Sequence, residues 1–310
     1  MDAESTNITS EPLFYLFAFS TSENQKLIIL TVVWVIYLVI LSGNLLIISL
    51  ISLDHRLHTP MYFLLYVLST LDIMYVSTTL PKLMYVCHTG DHIMSYTSCM
   101  AQLYLYLVFG DTECFLLTSM AIDRYVAVCF PLHYSLIMSK KVCVLLALPP
   151  WLLAFVNASI VIYLVHKLTF FGLVEMRTFF CDFKALMNAS NGDSSMKTFL
   201  PIDALFLGVI PSCLILASYV RIIYTVLKIK SSVGRWKTFS SCSSHITIVI
   251  VYYGPAMILY LSESLEQEII LSLMFVTLVP MLNPLIYSLR NRDITRAIRK
   301  IIDRYITSGL

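Results

Sequence analysis

Charged side chains are scarce in this 310-residue chain: they make up 13% of it, against 58% hydrophobic residues and a mean hydropathy of +0.80. That balance excludes an ordinary soluble domain, whose charged share is about a quarter. The chain also lacks a nucleophile–base pair, a phosphate-cradling loop and a metal-ligand cluster of workable spacing, so it does not read as an enzyme and no cofactor is expected. It lacks an internal repeat, which weighs against the duplicated architecture of many transporters. No basic segment precedes Lys26, and the apolar stretch 13–19 follows Glu4 and Glu11, so no cleaved signal peptide is expected.

What is present is apolar sequence in long runs. Stretches near the length that crosses a roughly 30 Å hydrocarbon layer fall at about 27–52, 60–86, 98–130, 140–165, 199–229, 237–262 and 269–290. They predict an all-α, seven-transmembrane helix bundle. The first 26 residues form an outer tail, 27–290 the bundle, and 291–310 a cytoplasmic amphipathic helix and tail. In that last segment Ile294, Ala297, Ile298, Ile301 and Ile302 recur at helical spacing opposite Arg296, Arg299, Lys300 and Arg304, as in a helix lying on a membrane surface. A retinal protein is excluded, because 269–289 contains no lysine for a Schiff base.

Orientation follows from the basic residues. With the N-terminus outside, the cytoplasmic side collects fifteen of the 21, namely Arg56, Arg124, Lys140, Lys141, Arg221, Lys228, Lys230, Arg235, Lys237, Arg290, Arg292, Arg296, Arg299, Lys300 and Arg304. A basic inner face suits anionic lipid headgroups, and no nucleic acid partner is expected. Asn7-Ile8-Thr9 is a glycosylation sequon in the outer tail, with a second at Asn188.

Most of the eight cysteines lie in or at the inner ends of spans and read as small buried hydrophobes. Cys99 opens span three on the outer side and Cys181 sits in the long outer loop, in an oxidising compartment, so a disulfide between them is expected. Cys87, also near the outer face, stays open as a rival partner.

Polar residues inside spans must face the bundle and find partners. Asn44, Asp72, Glu113, Asn283 and Tyr287 are of this kind. Glu113 lies roughly 16 Å along its helix from Arg124, and Asp72 roughly 18 Å from Pro60, at 1.5 Å per residue. Two close acids at mid-membrane depth would share a proton or hold a cation, with sodium as the candidate and no other metal expected. At the end of the third run stands Asp123-Arg124-Tyr125, and an Arg and an Asp at a membrane boundary point to a switch in a signalling protein.

With these segments in order, the chain resembles the olfactory (odorant) receptors of the rhodopsin-like G-protein-coupled receptor family. The resemblance rests on Gly43-Asn44, the 57–63 segment Leu-His-Thr-Pro-Met-Tyr-Phe, Leu68-Ser69 with Asp72, the 120–134 segment, Ser218-Tyr219, 237–245 and 280–291. It implies a small-molecule odorant as ligand and a heterotrimeric G protein of the stimulatory, olfactory type as partner, raising cyclic AMP from the plasma membrane. It further implies that Arg124 leaves Asp123 on activation, that Tyr219 and Tyr287 stabilise the open state, and that Lys237 and His245 belong to the docking surface. A same-fold receptor for a non-odour metabolite in another tissue is the alternative.

Two departures stand out. The places of two further outer-loop cysteines found in relatives are taken by Phe171 and the Ser190–Asn191 region, and Tyr253 stands where most non-olfactory relatives carry a toggle Trp. By the resemblance the ligand site lies in the outer half, among spans three, five and six. Span three is expected to present Tyr106, Leu107, Gly110 and Asp111 on one face. Span five offers Asp203 and Leu207, and span six Tyr253, Met257 and Tyr260. Two acids in an apolar, aromatic pocket would suit an amine or a hydrogen-bond donor. A transporter or channel using Asp72, Asp111 and Glu113 would leave Asp123-Arg124-Tyr125 without a purpose.

Overall fold

Backbone amides have no water to bind inside a bilayer, so apolar runs of this length satisfy them within helices. The computed structural model describes residues 12–16, 23–170, 172–190, 194–261, 265–290 and 294–299. Among the described residues seven long helices follow one another: α1 (Glu23–Leu53), α2 (Pro60–Thr89), α3 (Tyr96–Cys129), α4 (Lys140–Val165), α5, α6 (Ser232–Leu261) and α7 (Leu265–Arg290). Helix α5 is composite: Ser194–Asp203, a wider π-helical stretch Ala204–Val209, then Ile210–Leu227. Among the described residues six of these are long and apolar enough to cross a membrane, and α6 contributes a shorter apolar stretch, His245–Pro255.

Local signals set the helix ends. Pro60 occupies the first turn of α2, where its missing N–H costs nothing. Gly90 closes the same helix in the left-handed region at φ 72°, its N–H returning to Val86 O at 2.9 Å. Ser95 caps α3 by accepting from Ser98 N at 3.2 Å.

The inner half of the bundle closes around Leu50, Leu57, Leu64, Leu68, Leu116 and Ile248, all essentially unexposed. A Cβ on Gly43 would stand 2.9 Å from Pro284 Cγ, so glycine is what lets α1 approach α7 there. Ile294 and Ala297 bury themselves in this inner cluster while Arg296 and Arg299 stay exposed. The described part of that apolar stripe therefore packs against the bundle rather than lying apart from it. Residues 300–306 of that segment lie outside the described ones.

One element was not anticipated from sequence. Leu13–Leu16 (β1) forms the centre of a three-stranded sheet, antiparallel to Ile93–Ser95 (β2) with Phe14 opposite Met94, and parallel to Leu173–Met176 (β3) with Phe14 opposite Val174. Phe14 and Leu16 are completely buried, and Phe14 meets Phe170 edge-on at 5.4 Å. The N-terminal segment thus stitches two outer loops together over the bundle. The long outer loop is also more ordered than a plain connection, since Phe183–Ala189 forms a helix capped by Asp182.

Candidate ligand and signalling site

At the inner end of α3, Arg124 Nη2 lies 2.7 Å from Asp123 Oδ2 and its Nε also donates to that oxygen at 3.2 Å. The other carboxylate oxygen accepts from Tyr134 Oη at 2.7 Å. Burial, and then the neighbouring Asp123, push the Tyr134 phenol up, so its O–H remains available to donate. Tyr134 was missed as a site residue because it stands eleven positions on, brought back by the turn at Pro131–His133. Tyr125 turns to an edge contact with Phe130 at 5.8 Å and packs beside Tyr219.

His245 corrects the sequence reading. It was expected on the docking surface, but it is 1% exposed and hydrogen-bonded through Nδ1 to Tyr219 Oη at 2.6 Å. In this conformation the Tyr219–His245 pair ties α5 to α6 inside the bundle. The side chains of Lys237, Tyr287, Met257 and Tyr260, and Asn7 with Phe171 and Asn191, lie outside the described ones.

At mid-depth the expected polar residues converge. Asn44 Nδ2 donates to Ile40 O and to Pro280 O, each at 3.0 Å, joining α1 to α7. Asn283 Nδ2 donates to Asp72 Oδ2 at 2.9 Å, and both Asp72 and Glu113 are buried in the bundle. Ser69 Oγ, Asp72 Oδ1, Glu113 Oε1 and Asn283 Oδ1 are all buried without a protein partner. No three His, Cys, Asp or Glu side chains among the described residues gather as metal ligands. Asn283→Leu, which strips Asp72 of its donor, is expected to lower stability by about 1–2 kcal/mol; thermal unfolding of the purified receptor measures it, and an unchanged midpoint would deny the bond that weight.

Farther out, the four α3 residues expected on one face separate into two. Tyr106 stacks on Tyr75 at 5.4 Å and meets Phe180 of the outer loop at 4.8 Å, and Gly110 also backs onto Tyr75. Asp111 turns the other way and accepts from Asn157 Nδ2 of α4 at 3.0 Å. The reason is helical geometry: residues five apart are offset by about 140°, too far for Tyr106 and Asp111 to share a face. Leu107, between them, packs on the Ala154 and Ala158 side.

Asp203 of α5 stands near Asn157 and Asp111, and its Oδ1 is buried without a hydrogen-bond partner, so acids of α3 and α5 meet around one α4 amide. Beside them Cys114 Sγ donates to Leu207 O in the π-helical stretch at 3.0 Å and is hydrogen-bonded to Tyr253 Oη at 3.1 Å. Leu207 thus enters through its carbonyl. Tyr252 donates to Gly110 O at 2.9 Å. Asn157, Cys114 and Tyr252 escaped the sequence reading; a lone Asn in the middle of span four was the available signal for the first.

Over this region Cys99 is bonded to Cys181, and Cys87 is a free cysteine. Gln102 Oε1 accepts from Cys181 N at 2.8 Å while its Nε2 donates to Thr78 O at 2.8 Å, pinning the outer loop to α2 and α3.

Comparison with known proteins places this geometry. Residues 33–304 match the family model described as olfactory receptor. The chain is 42% identical over 294 residues to Olfactory receptor 1496 of Rattus norvegicus, covering 93% of this chain and 95% of that one. It is 40% identical over 311 residues to Olfactory receptor 1M1 of Homo sapiens, covering 99% of each. Its fold is similar to that of squid rhodopsin, with a TM-score of 0.73 at 17% identity, covering 94% of this chain and 89% of that chain. The chain belongs to the olfactory receptor family and is a multi-pass plasma-membrane receptor, not an enzyme.

Proposed function

We propose that this chain is an odorant receptor that binds a small-molecule odorant in the outer half of the bundle and activates a heterotrimeric G protein of the stimulatory, olfactory type to raise cyclic AMP. The N-terminus is outside, carrying a glycan on Asn7, and the basic inner face meets anionic lipid and the G protein. The observation that carries the ligand site is the convergence of Asp111, Asn157 and Asp203 from three spans, beside Cys114 and Tyr253. A ligand touching Asp203 and Tyr253 bears on α5 and α6 together, and those two helices are joined lower down by Tyr219–His245.

Opening of that contact frees Tyr219 to turn toward Arg124 once Arg124 has left Asp123. Lys237 and the other inner-loop cations then meet the G protein. Asp72 and Glu113 hold a proton or a sodium ion between them in the resting state.

An ammonium group supplies both the positive charge and the donors that two acids facing one neutral amide call for. Asp203→Asn is therefore expected to lower potency toward amines by roughly ten-fold or more, the order of one charge-assisted hydrogen bond, and to leave ketones and esters unaffected. Cyclic AMP dose–response curves in transfected cells check this; equal amine potency in the variant sinks the acidic subsite.

A further inference from the structure

Two histidines at the corner between α1 and α2 form a site that none of the signalling roles uses. His55 and His58 flank a single helical turn, His55–Leu57, that is capped by Asp54 accepting from Arg56 N at 3.1 Å. Their Nδ1 atoms stand 3.3 Å apart, with the rings nearly perpendicular at 84°. His58 Nε2 meets the backbone carbonyl of Ile51 at 3.0 Å. A carbonyl accepts only, so Nε2 carries the proton and neutral His58 presents a bare lone pair at Nδ1.

We propose that this pair binds a divalent transition-metal ion of the zinc, nickel or copper kind through both Nδ1 atoms. Two imidazole nitrogens at about 2.0–2.1 Å from one tetrahedral ion stand about 3.3–3.4 Å apart, which is the separation found. Metal-bound histidines characteristically donate the remaining N–H to a carbonyl that fixes tautomer and ring, as Ile51 O does for His58. Imidazole suits these ions, and both rings are exposed, so water completes the coordination. The bound ion closes the α1–α2 turn on itself, and the His58–Ile51 hydrogen bond ties that turn to the end of α1. Asp54, adjacent in sequence, contributes a carboxylate that offsets the charge of Arg56.

The test is calorimetric titration of the full-length receptor, in lipid nanodiscs and free of any polyhistidine tag, with Ni2+. One ion per chain is expected, with affinity falling at least about ten-fold in His55→Ala and in His58→Ala and unchanged in His133→Ala, an exposed histidine elsewhere. Ni2+ is also expected to raise the unfolding temperature of the unmodified receptor but not of His55→Ala, because an ion that binds only the folded corner stabilises it. His58→Ala removes an anchor to Ile51 and can weaken the fold, whereas exposed His55 is replaceable without that cost. Absence of saturable binding, or binding that survives His55→Ala, overturns the proposal and leaves the pair joined by an N–H···N hydrogen bond alone.

Discussion

Arg124→Ala is expected to abolish the ligand-dependent cyclic AMP response while the receptor still reaches the cell surface. The expectation rests on where the charge sits. The Arg124 side chain is 16% exposed and its Asp123 partner 1%, so the pair is a buried one, strengthened by the low dielectric around it and costly to break on one side. What spares the fold is the second partner of Asp123: Tyr134 continues to donate at 2.7 Å. What is lost, on the proposed mechanism, is the side chain that leaves Asp123 to meet the G protein. Arg124→Lys keeps the charge without the planar fork, so a partial response is expected. Surface staining alongside cyclic AMP separates the outcomes, and a normal response from the alanine variant would remove Arg124 from the mechanism.

Cys99→Ser or Cys181→Ser is expected to reduce surface expression several-fold. The bridge spans 82 residues of chain, and closing a loop of that size in the unfolded state is worth about 4.5 kcal/mol in the chain-entropy picture. That is comparable with the roughly 5–15 kcal/mol that holds a typical fold together. The loss propagates locally, because Cys181 N–H is held by Gln102 and the preceding Phe179 and Phe180 are buried in the outer core. Cys87 is free and packs against a cluster drawn from α1, α2, α7 and the Phe179–Phe180 pair. Flow cytometry of surface receptor, with a non-reducing gel, reads the effect; full surface expression of either serine variant would mean that Gln102 and the sheet hold the loop unaided.

The spans were legible because lipid imposes one rule on every residue of a long run, and the paired Asp123 and Arg124 were legible because charge is expensive at that depth. Compartment and position favoured a Cys99–Cys181 bridge and left Cys87 open as a rival, which the structure decides by joining Cys99 to Cys181. The outer sheet was not readable, since β1 is four residues long and its partners lie roughly eighty and 160 positions away; nothing local distinguishes it from any short apolar segment. Asn157 was hidden for a similar reason: its partners sit on other helices, and no spacing within span four points to them. The Tyr106–Asp111 face failed on periodicity, five residues being too many for one side of a helix. His245 departed from its expected place because the resemblance grouped it with the inner-loop cations, whereas the fold turns it inward onto the buried Tyr219.

The central claim is that ligand contact in the outer half is transmitted to Arg124. Cyclic AMP in cells expressing the chain, challenged with a panel of amines, acids, ketones and esters beside the Arg124→Ala and Asp203→Asn variants, tests it most directly. The account predicts a ligand-dependent rise that Arg124→Ala eliminates for every active compound and that Asp203→Asn eliminates or weakens for amines. A rise that persists in Arg124→Ala at verified surface levels would contradict it.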